Sequence, residues 1–236
     1  MPEQGERREE LAARLARVRG RIRAACDAAG RTEEPRLIVV TKFHPASDVR
    51  LLAELGVIDV GENRDQEAAA KAADLADLGL RWHFIGQLQT NKAKSVVRYA
   101  DAVHSVDRAQ LVAALSKAVV AAGREDPLAC LIQVNLDPAA AGRGGAVPAD
   151  VPELAALIDD APGLRLAGVM AVAPLGADPA EAFATLADVA GGLRQRYPDA
   201  TMVSAGMSQD LEAAVAAGAT HLRIGTDVLG PRPPVG

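Results

Sequence analysis

Eight short apolar runs, each followed by a helical stretch, constrain the fold of this 236-residue chain more than any other feature. The runs occupy residues 37–41, 57–60, 82–85, 102–106, 130–136, 166–172, 202–205 and 222–224. The first and fifth are almost continuously apolar, as expected of strands that are covered on both faces. Such alternation predicts a parallel sheet with crossover helices. Eight units within about 200 residues predict a closed (β/α)8 TIM barrel, with a doubly wound open sheet as the alternative.

The stretch before the first run predicts an N-terminal outer helix within residues 1–30. Its apolar residues recur at helical spacing, with arginine and glutamate between them: Leu11, Leu15, Val18 and Ile22. Gly30 is predicted to end this helix.

Later helices have readable ends. Asp107 is predicted to cap a helix that ends at Gly123. Asp178, which precedes a proline, is predicted to cap another helix. Ser208 is predicted to cap a third helix, which runs to Gly218.

Composition excludes several functional classes. The net charge is −5 and aromatic residues make up 3%, which argues against a nucleic-acid surface or a base-stacking platform. No run approaches the roughly 20 apolar residues of a membrane span, and residues 1–30 contain no secretory signal. The two cysteines, Cys26 and Cys130, cannot form a disulfide framework, so we expect buried thiols in a cytoplasmic protein. No His, Asp or Glu spacing indicates a metal site.

No linker or change of composition divides the chain, so residues 1–236 are predicted to form one domain. The loop at 137–150 is rich in glycine, alanine and proline and is long for such a connection. It is interpreted either as a mobile lid or as a plain surface excursion. The chain ends soon after the eighth run, so no C-terminal β domain is expected.

Lys42 is the sharpest candidate for chemistry. It directly follows the first run, and the site of such a barrel lies at the carboxyl ends of the strands. A desolvated lysine can act as an amine nucleophile toward a carbonyl. The alternative is a lysine whose ammonium group extends out of the barrel end into water.

A separate signal indicates a phosphate site after the seventh and eighth runs. Gly206 and Gly225 follow these runs, where glycine permits close approach of a ligand to the backbone. Ser208 and Thr226 begin the segments beyond, where free N–H groups favour an anion. Barrels of this kind often bind phosphate in these two loops. Ordinary turn glycines and an ordinary cap are the alternative.

Three further polar positions stand in or beside the runs. Arg223 lies inside the last run, where it requires either an internal carboxylate or a ligand atom as partner. Asn63 either caps the next helix, with Gln66 completing a capping box, or contacts a ligand. His83 and His104 fit buried or rim histidines better than catalysts, although His83 is retained among the candidate binding residues.

The ordered set of motifs resembles the pyridoxal-phosphate-binding homeostasis proteins, the YggS/PROSC family. The matching stretches are LIVVTK at 37–42, VGEN at 60–63, WHFIG at 82–86, HSVDR at 104–108, QVN at 133–135, GVM at 168–170, SAGMS at 204–208 and RIGT at 223–226. They extend over most of the chain, from residue 37 to about residue 232.

This resemblance implies a fold-type III barrel that holds pyridoxal 5'-phosphate as a Schiff base on Lys42. Arg223 would face the pyridine nitrogen, and Ser208, Gly225 and Thr226 would hold the phosphate. The other candidate cofactor-binding residues are Asn63, His83, Met170, Ser204, Gly206, Met207 and Ile224.

The sequence departs from the family pattern at two places. Phe43 and His44 follow the lysine where many members carry smaller polar or basic residues. The stretch at 142–144 lacks a lysine-bearing segment, which puts a basic group in that loop in doubt.

Three functions compete. The first is intracellular cofactor homeostasis without strong catalysis, in which the protein buffers pyridoxal phosphate and delivers it to apo-enzymes. The second is a racemase or decarboxylase of the alanine racemase fold type. Against it, Tyr99 and Tyr197 both fall away from strand ends, so no second base is expected opposite Lys42. The third is a Schiff-base aldolase that acts on a sugar phosphate. We expect a monomer, because the helices show no clear apolar seam.

Overall fold

The structure is a computed structural model that describes residues 2–137 and 144–231. Helices and strands alternate along the chain as α1 Pro2–Ala28, β1 Arg36–Val40, α2 Ala46–Glu54, β2 Asp59–Glu62, α3 Asp65–Asp74, β3 Arg81–Phe84, α4 Ala93–Val96, β4 Ala102–Val106, α5 Ala109–Ala122, β5 Leu128–Gln133, α6 Val151–Asp159, β6 Leu164–Met170, α7 Pro179–Arg196, β7 Met202–Ser204, α8 Leu211–Ala216, β8 His221–Ile224 and α9 Thr226–Leu229.

The strands form a closed barrel in chain order, and each strand pairs in parallel with its neighbours. Closure is made by β1 and β8, where Ile38 lies opposite Arg223 and Val39 opposite Ile224. The predicted (β/α)8 barrel is therefore confirmed, and the open-sheet alternative is wrong. Strand ends differ from the predicted ends by up to three residues.

Two apolar layers hold the barrel. The larger lies between the strands and the surrounding helices, and it includes Phe84, Phe183 and Leu115. The smaller is a cluster made by β4, β5 and β6: Ala102, Ala129, Leu131, Ala167 and Met170. The polar side chains His83, Ser204 and Arg223, on β3, β7 and β8, are also buried.

Helix α1 packs its predicted apolar stripe completely against the barrel layer, since Leu11, Leu15, Val18 and Ile22 are 0–2% exposed. Gly30 follows it with a φ of 65°, as predicted for a helix end. The arginines of this helix are not merely solvated. Arg7 pairs with Asp48 at 2.7 Å, and it donates to the carbonyl of Leu229.

The predicted caps agree with the structure only in part. Asp178 accepts a hydrogen bond from the N–H of Ala180 at 2.9 Å, so its cap is confirmed. The cap at Asp107 is wrong, because α5 begins one residue later and the Asp107 carboxylate pairs with Arg108 instead. The cap at Ser208 is also wrong, because α8 begins only at Leu211.

Both cysteines are buried, as predicted. Burial raises the pKa of the Cys130 thiol to about 12. In the described ranges 2–137 and 144–231, no helix has both the length and the apolar character of a membrane span. The same residues contain no cluster of three or more His, Cys, Asp or Glu side chains that is suited to a metal.

Among the glycines of the described residues, Gly168 on β6 leaves the least room for a Cβ atom. Its φ is 147°, and a Cβ atom added there would lie 1.9 Å from the carbonyl oxygen of Met202. We therefore predict that Gly168→Ala destabilises the protein by about 3 kcal/mol or more through strain and overpacking.

The matched control is Gly191→Ala in the middle of α7, where an added Cβ meets nothing within 4 Å. It should stabilise the protein by up to about 1 kcal/mol, because alanine is the better helix former. Urea unfolding measures both changes. Equal free energies of unfolding for the two variants would contradict the assigned β6–β7 contact.

Candidate functional site

Because the barrel strands are parallel, the residues that follow them share one mouth. Lys42 follows β1, Asn63 follows β2, and Gly206–Ser208 and Gly225 follow β7 and β8. Met170 is the last residue of β6 and is buried. The predicted positions are thus brought to one end of the barrel, with His83 and Arg223 inside strands β3 and β8.

Lys42 is half-buried at the mouth. Within residues 2–137 and 144–231, its ammonium group has no hydrogen-bond or ion-pair partner. A lysine so placed has an unengaged amine that can meet a ligand. This arrangement agrees both with the nucleophile expected from the sequence and with the alternative of an ammonium group that extends into water.

A buried ion-pair cluster fixes the backbone on both sides of Lys42. Lys71 donates from Nζ to the carbonyl oxygen of Thr41 at 2.8 Å, and to Glu62 and Glu67 at 2.7 Å each. Thr41 Oγ1 also donates to Glu62 at 2.6 Å. On the other side, the N–H of Phe43 donates to Glu67 at 2.6 Å.

This Lys71 cluster explains an unusual backbone conformation. Phe43 has a φ of 68°, in the left-handed region that non-glycine residues seldom adopt. Its ring also packs against the guanidinium of Arg64 at 5.0 Å. Burial raises the pKa of Glu62 despite its hydrogen bonds from Lys71 and Thr41. The sequence analysis missed this cluster, although Glu67 and Lys71 stand four residues apart on a predicted helix.

Two residues that depart from the family pattern are accommodated next to Lys42. The ring of Phe43 packs against the guanidinium of Arg64. His44 is buried, and its Nδ1 lies 3.5 Å from the carboxylate of Asp48, which is long for a hydrogen bond. Burial lowers the pKa of His44, so the ring is neutral at neutral pH. Neither side chain adds a charge beside Lys42.

Asn63 does not form the predicted capping box with Gln66. Helix α3 begins at Asp65 with Arg64 as its N-cap residue, and it receives no side-chain cap. The Asn63 Oδ1 atom is buried with no hydrogen-bond partner in the described structure. A buried acceptor without a partner is costly, so it is explained best by a ligand donor. A cavity of about 560 Å³ opens next to Asn63 and Arg64.

Arg223 is 4% exposed, and its guanidinium reaches the carboxyl ends of β6 and β7. It donates to Ser204 Oγ at 2.7 Å and to the carbonyl oxygen of Ala171 at 2.8 Å. Burial lowers its pKa to about 10, partly offset by the charge of Asp210, so the group stays protonated at neutral pH. Among the residues that the structure describes, it makes no direct pair with a carboxylate, so the ligand alternative from the sequence remains open.

The two loops assigned to phosphate are connected from outside by α1. Arg21 donates to the carbonyl oxygen of Ser208 at 3.0 Å and pairs with Asp227, beside Thr226, at 2.7 Å. Thr226 begins α9, as expected. The N–H of Met207 donates to the carboxylate of Asp210 at 2.6 Å. The sequence pattern of α1 does not predict this connection.

At both glycines of these loops, neighbouring protein atoms leave little room for a side chain. Gly206 has a φ of 90°, and an added Cβ would lie 2.6 Å from Ala214. A Cβ on Gly225 would lie 3.1 Å from the carbonyl oxygen of Val40. Ile224 is fully buried in the outer apolar layer, so only its backbone can face the barrel mouth.

His83 and His104 belong to a buried path of polar groups. His83 contacts Asp59 at 2.9 Å and His104 at 2.9 Å, and His104 contacts Ser204 at 2.9 Å. Burial, with a contribution from His83, lowers the pKa of His104 well below its usual value. Burial alone would raise the pKa of Asp59, but hydrogen bonds from His83 and Arg81 outweigh it, and the net shift is downward. Both ring nitrogens of His83 are occupied by protein groups.

The loop predicted at 137–150 pairs in part with β5. At the end of that strand, the Asn135 N–H donates to the carbonyl oxygen of Ala146, and the Ala146 N–H donates to the carbonyl oxygen of Gln133, each at 2.8 Å. Residues 138–143, on which the lid interpretation rests, lie outside the described residues.

The closed barrel of eight parallel strands places this chain in the class of TIM-barrel proteins, and comparison with known sequences identifies the family. Residues 13–233 match the family model described as alanine racemase, N-terminal domain. The chain is 45% identical over 222 residues to a protein of Corynebacterium glutamicum named pyridoxal phosphate homeostasis protein, covering 92% of this chain and 99% of that one. A protein of the same name from Escherichia coli K12 is 38% identical, with 94% and 97% covered. This chain belongs to the family of pyridoxal phosphate homeostasis proteins.

Solved structures agree. PipY of Synechococcus elongatus, solved with PLP bound, superposes with a TM-score of 0.78 at 36% identity, covering 93% of this chain and 100% of that one. Alanine racemase of Corynebacterium glutamicum gives a TM-score of 0.67 at 14% identity, covering 97% of this chain and 62% of that one, which shows a shared fold alone.

The buried histidines predict a pH dependence of stability. Burial lowers the pKa of His221 to about 4, against about 6.5 in the unfolded chain. The unfolded state therefore binds the proton more readily, and the stability contributed by neutral His221 is lost as the pH falls from about 6.5 toward 4. Between about pH 7 and pH 5, the wild type should lose about 2 kcal/mol more free energy of unfolding than His221→Gln.

Urea unfolding of both proteins at the two pH values measures this difference. The other buried histidines are present in both proteins, so the comparison removes the part of their contribution that does not depend on His221. Parallel losses in wild type and variant would show that His221 is charged or accessible in the folded state.

Proposed function

We propose that this protein binds pyridoxal 5'-phosphate covalently through Lys42 and serves in intracellular cofactor homeostasis. The observation that carries this proposal is the unpartnered, half-buried Lys42, which stands between backbone groups that the Lys71 cluster fixes. The names of the relatives and the cofactor in PipY support it.

The residues present fit this cofactor. When bound, pyridoxal phosphate supplies an aldehyde that condenses with a primary amine and a ring that withdraws electrons. Lys42 supplies the amine, and Arg223 offers its remaining N–H groups to the ring nitrogen. Because Arg223 stays protonated at neutral pH, it donates a hydrogen bond and keeps that nitrogen unprotonated. Asn63 would lie beside the ring, and its Oδ1 has no hydrogen-bond partner among the described residues.

The phosphate is assigned to the loops after β7 and β8, around Ser208, Gly225 and Thr226, with backbone contributions near Gly206 and Met207. The N–H of Met207 already donates to Asp210, so a phosphate that takes this donor must displace a carboxylate. Met170 lines the ring from β6, and Ser204 acts on the cofactor through Arg223.

The titratable groups near the proposed site are bound to other protein groups, which favours a buffering role over strong turnover. His83 and His104 are bound to one another and to Asp59 and Ser204, and Lys71 is held by three acceptors. Burial next to Asp65 raises the pKa of Tyr99, which makes it a poor base. We also propose that the protein acts as a cytoplasmic monomer that delivers the cofactor to apo-enzymes by transient contact.

We predict that Lys42→Ala abolishes covalent cofactor and its visible absorption band, because the amine is gone, while weak phosphate-anchored binding remains. The control is Lys94→Ala at an exposed lysine, which should keep the band. Borohydride reduction followed by peptide mass analysis measures the adduct. A stable pyridoxyl mass in Lys42→Ala, for example on Lys71, would show that Lys42 is the wrong lysine.

The same purified preparation distinguishes the racemase alternative. If the protein acts only in homeostasis, the wild type should racemise alanine no faster than a mixture of free cofactor and the Lys42→Ala variant does. Appreciable racemase turnover that depends on Lys42 would overturn the binding-only function while leaving the cofactor assignment intact.

Arg21 provides a test of the phosphate loops. Arg21→Met removes the contacts to Ser208 and Asp227, so we expect about fivefold weaker binding of pyridoxal phosphate. Binding of pyridoxal, which lacks the phosphate, should change little. Arg23→Met, at an exposed arginine of the same helix, is the matched control. Equal losses for both ligands would place the phosphate elsewhere.

A further inference from the structure

The polar groups inside the barrel form one continuous path from the mouth to the base. Arg223 Nη1 lies 2.7 Å from Ser204 Oγ, which lies 2.9 Å from His104 Nδ1. His104 Nε2 lies 2.9 Å from His83 Nδ1, and His83 Nε2 lies 2.9 Å from Asp59 Oδ1. All five side chains are buried, and Ser204 and His104 are completely so.

The two ends of this path determine where its protons lie. Arg223 can only donate, so Ser204 Oγ accepts from it. Asp59 is ionised and can only accept, so the proton of His83 lies on Nε2. The other nitrogen of a neutral His83 then accepts from His104 Nε2–H. His104 Nδ1 is left to accept the hydroxyl proton of Ser204.

The opposite orientation satisfies fewer groups. It requires a doubly protonated His83, whose counter-ion Asp59 already pairs with Arg81 at 2.7 Å. His104 would then donate to Ser204, which already receives an N–H from Arg223. The Ser204 hydroxyl proton would have no acceptor among the residues that the structure describes. A second buried cation near Arg223 would also be costly.

We propose that Ser204, His104 and His83 form a one-way chain of hydrogen bonds that positions Arg223 from Asp59, at the opposite end of the barrel. Every donor in the chain points toward Asp59. The carboxylate thereby polarises each hydrogen bond in turn and stabilises the guanidinium charge without touching it. These residues are positioning residues, because they act through Arg223.

The consequence for binding rests on the proposed function. Ser204 and Ala171 hold two of the five N–H groups of Arg223 and fix its plane. The remaining N–H groups then meet the ring nitrogen in a single geometry. If the chain is broken at Ser204, Arg223 keeps only its contact with Ala171 and loses that alignment.

The experiment compares Ser204→Ala with Ser105→Ala. Ser105 is adjacent to His104 on β4 and is equally buried, but its hydroxyl has no hydrogen-bond partner in the described structure. Ser204→Ala should weaken pyridoxal phosphate binding about tenfold and shift the visible absorption band, since a hydrogen bond to a charged group is lost. Ser105→Ala should stay within about twofold of wild type. Equal affinities and spectra for the two variants would overturn the positioning role.

A second measurement reads the proton positions in the cofactor-free protein. Nitrogen NMR of the histidine rings at neutral pH should show His83 and His104 both neutral, each with its proton on Nε2. In Ser204→Ala, the Nδ1 resonance of His104 should move downfield, because that nitrogen loses its donor. A doubly protonated His83, or a proton on Nδ1 of either ring, would overturn the assigned direction.

The two readouts separate this inference from the proposed function. If the protein shows the expected tautomers but binds no pyridoxal phosphate, the chain of hydrogen bonds is supported and the cofactor assignment is contradicted. A protein that binds the cofactor through Lys42 but shows the opposite tautomers would retain the function and contradict the chain.

Discussion

The burial of a guanidinium inside a parallel barrel is the constraint on which much of this structure depends. A buried cation without partners costs several kcal/mol of solvation free energy. Arg223 is nevertheless 4% exposed on β8, and burial lowers its pKa only to about 10. The barrel meets this cost with a carbonyl, a hydroxyl and, at a distance, carboxylates. Its interior is therefore divided between an apolar cluster on β4 to β6 and a polar path with members on β2, β3, β4, β7 and β8.

A second constraint acts at the other side of the mouth. Lys42 can present an amine only if its own backbone stays fixed, and Phe43 must hold a left-handed conformation to turn the chain there. The Lys71 cluster secures both peptide groups around Lys42 with charged hydrogen bonds. The two lysines thus have opposite roles. Lys71 is buried and donates to three acceptors, whereas Lys42 is half-buried and has no partner among the described residues.

Sequence periodicity was sufficient to predict the barrel, the strand ends that carry Lys42 and Asn63, and the strand that contains Arg223. Parallel strands covered on both faces leave nearly continuous apolar runs, and their carboxyl ends share one mouth by topology alone. The predicted helix caps at Asp107 and Ser208 were wrong because other contacts form where each helix was expected to begin. Asp107 pairs with Arg108, and Ser208 lies in a turn that Asp210 closes onto Met207.

The polar path could not be predicted from the sequence, because its members come from strands far apart in the chain. Asp59, His83, His104 and Ser204 each resemble an isolated polar residue in an apolar run. Only barrel closure brings them within hydrogen-bond distance. Once it does, an arginine at one end and a carboxylate at the other leave one orientation in which every proton has an acceptor. Interior histidines that are committed in this way leave few free bases beside the proposed cofactor site, which suits the proposed reversible storage better than proton transfer.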